Sequence, residues 1–189
     1  MACKYEAQNF SLEPMGPDFF DNEDYLRQYQ SYEQDPRVTA WNSHGLFYKT
    51  DRQMQGWMAA IESGSIISWA IMVDGKYVGV CSLDSINHLY KTAEVTIFIG
   101  DIQQWGRGIA TEAIGFMLQH GFLRLGLNRI WSGTAATNEG MNRVFERLNF
   151  VLEGSFRQGM FLQGAYVDVN EYAILRQDWD CYKALGGGV

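Results

Sequence analysis

Apolar side chains recur along this chain with two different periods, and the alternation between them sets the element order. The three-and-four period of an amphipathic helix shows first from Asp21 to about Tyr32, with Phe20, Tyr25 and Tyr29 as apolar-face positions. It returns in 51–62 with Met54, Trp57, Met58 and Ile61. It returns again in 107–125 with Ala110, Ala113, Ile114, Met117, Leu118, Gly121 and Leu125, and in 138–148 with Met141, Val144, Phe145 and Leu148. Runs rich in Val, Ile and aromatic residues predict strands over 66–73, 77–83, 91–99, 129–135, 150–160 and 165–175. Residues 7–14 predict a first strand ended by Pro14, and 35–48, with Pro36, Asn42 and Gly45, a loop. Asp74-Gly75 is a strong hairpin signal, and Leu162-Gln163-Gly164 marks a second hairpin.

The resulting order is strands, helix, strand, helix, strands, without an internal repeat, which predicts a mixed α/β (α+β) sheet. At 189 residues with 47% hydrophobic content the chain is long enough for one cored domain, expected over 1–180, with a flexible glycine-rich tail over 181–189. The net charge is −7 and no Lys/Arg cluster stands out, which argues against nucleic acid and suits a cationic partner. Cys3, Cys81 and Cys181 are isolated, and His44, His88 and His120 are scattered, so neither a disulfide framework nor a metal site is expected. No apolar run reaches membrane-span length and the polar start is no signal peptide, so a cytoplasmic protein without membrane contact is expected.

The most informative stretch is Val95 to Ala113. A strand ends near Ile99, glycines follow at Gly106 and Gly108, and a helix begins. Glycines at a helix start let backbone N–H groups converge where the helix dipole favours an anion, and a phosphate is the anion expected. A dinucleotide-binding turn would need Gly or Ala at the third position of its fingerprint, where this chain has Thr111. A Walker loop would end in Gly-Lys-Ser/Thr, which is missing. A plain glycine turn that starts a helix is the remaining reading from these residues alone.

Gln103-Gln104-Trp105-Gly106-Arg107-Gly108 fits the Gln/Arg-x-x-Gly-x-Gly/Ala loop, and by it the chain resembles the GNAT superfamily of acyl-CoA-dependent N-acyltransferases. Asn138 to Phe150 is similar to that family's N-x-x-S-x-x-v-l/y-e-k-L-G-F segment, and Gly164 to Asp168 with Tyr172 to Leu175 to its closing hairpin. Ile86-Asn87-His88 with Ala93-Glu94 resembles the I-N-H…A-E run of bacterial polyamine N-acetyltransferases. Ribosomal-protein N-terminal acetyltransferases share the layout, as do amino-sugar N-acetyltransferases. The match is best over 66–179.

The resemblance implies a GNAT fold: a mixed, mostly antiparallel central sheet flanked by helices and splayed at the acyl-CoA site. It implies acetyl-CoA as cosubstrate and an amine-bearing acceptor, and leaves a homo-oligomer open. It implies that Gln103, Gly106, Arg107, Gly108, Ile109 and Ala110 hold the pyrophosphate. Backbone groups near Phe98 and Ile99 would meet the pantetheine and the oxyanion, and Asn138 and Phe145 would border the cofactor. Glu94 becomes the candidate base for the amine proton, and His88 a candidate for the acceptor pocket. Two departures stand out: Met141 and Asn149 replace the family's Ser and Gly, and Phe145 stands where polyamine enzymes carry a tyrosine that protonates the leaving thiolate. Tyr166 is then the candidate donor, with Tyr172 as a second hydroxyl.

Overall fold

A computed structural model describes residues 3–42 and 51–184, without the side chains of Asp51 and Tyr182. The strands are β1 (Tyr5–Glu6), β2 (Ser11–Pro14), β3 (Ile67–Val73), β4 (Lys76–Asn87), β5 (Thr92–Ile99), β6 (Arg129–Ala135), β7 (Val151–Leu162) and β8 (Ala165–Leu175). The helices are α1 (Pro17–Phe20), α2 (Glu23–Gln34), α3 (Asp51–Glu62), α4 (Ile109–Gln119), α5 (Glu139–Arg147) and α6 (Arg176–Ala184). Hydrogen-bonded strand order is β1-β2-β3-β4-β5-β6-β8-β7. The β5–β6 pair is parallel, and β1–β2, β2–β3, β3–β4, β6–β8 and β7–β8 are antiparallel. A parallel pair needs a long crossover connection, and α4 lies in it. This is the mixed, mostly antiparallel sheet with helices that the sequence predicts.

Two compact units divide the chain: Met1–Asp84 with Thr96–Ile109, and Ser85–Val95 with Ala110–Val189. In the first, the predicted strand over 7–14 is interrupted. A turn, with the Ala7 N–H donating to the Phe10 carbonyl at 2.9 Å, separates β1 from β2, which starts at Ser11 and ends, as expected, at Pro14, paired with Trp69. The predicted helix from Asp21 begins at Glu23, because the Asn22 side chain accepts from the amides of Asp24 and Tyr25 and so caps it; a short α1 precedes it. The α3 span of 51–62 matches its periodicity. Asp74 and Gly75 both have positive φ, as a two-residue I′ hairpin turn requires. The core here joins Met15, Phe19, Tyr29, Val38, Tyr77 and Phe98. Buried Glu33 is the exception on α2; the Tyr29 hydroxyl donates to its Oε1 at 2.7 Å.

In the second unit the core is built on the α4 stripe, with Ala113, Ile114, Met117 and Leu118 all within 1% of full burial. The regular helix stops at Gln119, and a wider turn over His120–Arg124 completes the span predicted to 125. Helix α6 was not among the predicted elements. It starts directly after β8 with no loop to announce it, and buried Trp179 packs on Phe122 with ring centroids 5.5 Å apart. It takes in residues 181–184, whereas the rest of the expected tail lies outside the described residues.

Candidate functional site

The candidate residues are distributed over both units. In the first, the end of β5 is held close to β4. A Cβ on Gly79 would collide with the Phe98 carbonyl oxygen, so only glycine fits there. The amides of Gly100 and Asp101 both donate to the Val78 carbonyl, at 2.9 and 3.3 Å. A Cβ on Gly100 would collide with the Tyr32 ring. Asp101 then caps a short turn over Ile102–Gln104: its Oδ1 accepts from the Gln103 amide at 3.0 Å and its Oδ2 from Gln104 Nε2 at 3.3 Å. The indole of Trp105 folds back so that Nε1–H donates to the Ile99 carbonyl at 2.9 Å.

Gly106 and Gly108 follow with φ of 74° and 84°, in the left-handed region that glycine adopts without strain. Nothing lies within 4 Å of where a Cβ would stand at either, so their need is conformational and the space beside them is open. Gln103 and Arg107 are exposed, whereas Ile109 is 3% exposed and anchors the loop where α4 begins. The first N–H groups of a helix have no partner within it and attract anions. A cradle of positive-φ glycines, an exposed guanidinium and a helix start fits a pyrophosphate. On β4, half-buried Asp84 accepts from Thr96 Oγ1 at 2.8 Å, and burial raises its carboxyl above the ordinary aspartate value.

In the second unit, Glu94 is half-buried between buried Ala93 and Val95. It faces Trp131 at the end of the parallel β5–β6 register, which runs over Thr92–Glu94. His88 is exposed in the turn after β4, where Asn87 Oδ1 accepts from the amides of Leu89 and Tyr90. Ala110, the second residue of α4, is half-buried. Asn138 caps α5 by accepting from the Met141 amide at 3.2 Å. Phe145 is fully buried, stacked on Tyr172 at 5.1 Å and against Phe150 at 5.1 Å. Tyr166, three residues past the hairpin turn residue Gln163, is 68% exposed and rests on Phe161.

Asn142 and Trp105 have roles that their motifs do not declare. Asn142 Nδ2 reaches the carbonyls of Ala135, Ala136 and Asn138, and its Oδ1 accepts from Asn170 Nδ2 at 3.0 Å and the Tyr172 hydroxyl at 2.8 Å. The available signal was an amide side chain one turn after an N-cap Asn. Among the described residues no group of three or more His, Cys, Asp or Glu could hold a metal, and no helix is long and apolar enough to cross a membrane.

The family described as "Acetyltransferase (GNAT) domain" matches residues 12–151. The ribosomal-protein-serine acetyltransferase of Escherichia coli (strain K12) is 32% identical over 124 residues, 66% of this chain and 69% of its own length. The spermidine N(1)-acetyltransferase of the same strain is 28% identical over 111 residues, 59% of either chain. The chain thus spans about six to seven tenths of these curated relatives. The structure of spermidine N-acetyltransferase from Vibrio cholerae with CoA and spermine aligns with a TM-score of 0.77 at 20% identity, covering 92% of this chain and 99% of that one. That likeness shows the fold. With most of its length matched by the family, this chain belongs to the GNAT acetyltransferases.

Proposed function

We propose that this protein transfers an acetyl group from acetyl-CoA to a primary amine by direct attack of the amine. The observation that carries the reading is the Gly106–Gly108 turn, left-handed at both glycines and opening on α4, which suits a CoA pyrophosphate. Acetyl-CoA supplies the thioester carbonyl and the thiol leaving group. Gln103, Gly106, Arg107, Gly108, Ile109 and Ala110 would hold its phosphates, Phe98 and Ile99 its pantetheine, and Asn138 and Phe145 would border it. A free amine has a pKa near 10.4, so at neutral pH its proton must pass to a base, and Glu94, half-buried on β5, is the group assigned to it. His88 would border the acceptor.

Phe145 has no proton to give. Tyr166 is the hydroxyl assigned in the sequence reading, but it is exposed at a hairpin tip, and the Tyr172 proton is engaged by Asn142. Departure as the thiolate, at a thiol pKa of about 8.5, needs no donor and is the reading adopted. The acceptor is a small amine or polyamine, or a protein N-terminal amine; the charge of −7 favours cations. The place of action is the cytoplasm.

Thiol release from acetyl-CoA with a panel holding spermidine, short peptides and amino sugars tests the reading. Turnover with one class names the acceptor. CoA binding without turnover on any of them would leave an acyl-CoA-binding module, the alternative to which Phe145 lends weight. Glu94→Gln should slow turnover about 100-fold at neutral pH, with recovery as pH approaches the amine pKa. An unchanged rate would remove Glu94 as base.

A further inference from the structure

The loop after β5 is bound at its start and in its middle by groups of its own unit. Backbone amides of Gly100 and Asp101 fix its start on Val78, and the Asp101 carboxylate takes up the Gln103 amide and the Gln104 side chain. Only then does the chain reach two positive-φ glycines, Gly106 and Gly108, one residue apart. Glycines at positive φ are preorganised only if the residues beside them are held, because glycine loses more freedom on ordering than any other residue. Trp105 is the residue beside them. The residue is 43% exposed, so it is not a core position, yet the one polar atom of its side chain donates to the Ile99 carbonyl six residues back.

We propose that Trp105 is a positioning residue for acetyl-CoA: its indole N–H closes the loop onto the end of β5 and holds the glycine turn ready for a pyrophosphate. The assignment rests on the proposed CoA reading of the loop. Its main action is on the phosphate end of the ligand, because it orders the glycine turn; toward the pantetheine it occupies one carbonyl, that of Ile99. A preformed loop saves the ligand the cost of ordering it, so loss of the latch weakens phosphate binding without touching the reacting groups.

The test compares the unaltered chain with Trp105→Phe, which keeps the ring and loses the donor, and Trp105→His, whose imidazole N–H offers one. Binding of CoA, of 3′-phosphoadenosine 5′-diphosphate and of pantetheine is measured by calorimetry, beside steady-state turnover. Trp105→Phe should weaken CoA and the diphosphate about five- to tenfold, as loss of one hydrogen bond predicts. It should change pantetheine binding much less than binding of the diphosphate, raise KM for acetyl-CoA and spare kcat, and Trp105→His should recover part of the loss. Equal affinities, or a loss as large for pantetheine, would overturn the latch. A chain that binds no CoA before substitution fails the functional reading instead. If Trp105→Phe does not fold, hydrogen exchange on the unaltered chain decides. Slow exchange of the Trp105 indole N–H before CoA is added supports the proposal, and free exchange of it overturns it.

Discussion

The loop of Asp101–Gly108 and the start of α5 are both family motifs, yet they are built in opposite ways. In the loop, side chains are spent on backbone: Asp101 and Trp105 fix main-chain groups, and what remains presented is the open arc at Gly106 and Gly108. At α5 a single side chain, Asn142, joins the carbonyls at the end of β6 and the helix cap to Asn170 and Tyr172 of β8. Tyr172 in turn stacks on Phe145. The loop is organised to bind, the helix start to hold. Damage to the first should therefore appear in ligand affinity, and damage to the second in stability.

Asn142→Leu gives the largest effect. It strands the Asn170 amide and the Tyr172 hydroxyl and removes the donor shared by three carbonyls, which should cost about 3 kcal/mol in urea unfolding. A loss below about 1 kcal/mol would mean that α5 is held by its Phe145 and Leu148 packing alone. Gly108→Ala comes next. A residue with a Cβ pays roughly 1–2 kcal/mol to stay left-handed, so the free loop relaxes and the ligand must restore it. CoA affinity should fall about tenfold while the unfolding midpoint hardly moves; the reverse pattern would break the contrast. Tyr172→Phe keeps the stack on Phe145 and loses one hydrogen bond, about 1 kcal/mol of stability. If the Tyr172 proton also served the thiolate, kcat would fall well beyond that.

The loop was legible in the sequence because its signal is conformational. Gly106 and Gly108 announce positive φ, and the strand before them and helix after them follow from composition and period. The α5 stripe was legible for the same reason, and Phe145 and Leu148 are buried as their spacing predicts. Asn142 was not, because a polar residue off the apolar stripe looks solvated until the strands that surround it are in register, and Asn170 and Tyr172 lie 28 and 30 residues away. Trp105 was hidden likewise: its partner is a backbone carbonyl, which no side-chain pattern encodes. Helix α6 was missed because β8 passes into it without a Gly or Pro to mark the end. The start of the first predicted helix at Glu23 and not at Asp21 had a signal in the cap residue Asn22, which the apolar period overrode.

The smallest effect separates charge from geometry in the loop-bearing unit. Asp84 is half-buried on β4 and Thr96 of β5 donates to it, yet burial outweighs that bond and its carboxyl titrates above the ordinary value. The folded chain therefore holds this proton more tightly than the unfolded one. The corresponding stability is complete below about pH 4, the unfolded aspartate value, and is lost as pH rises through the higher folded value. Asp84→Asn removes that loss and keeps an oxygen for Thr96. The unfolding midpoints of the two proteins should coincide at low pH and part as pH rises, the asparagine variant being the more stable at neutrality. A constant offset across the range would place the Asp84 effect in packing and not in charge. CoA affinity should be the same in both, because the loop is held by Trp105, Asp101 and the backbone of Val78, none of which the substitution touches.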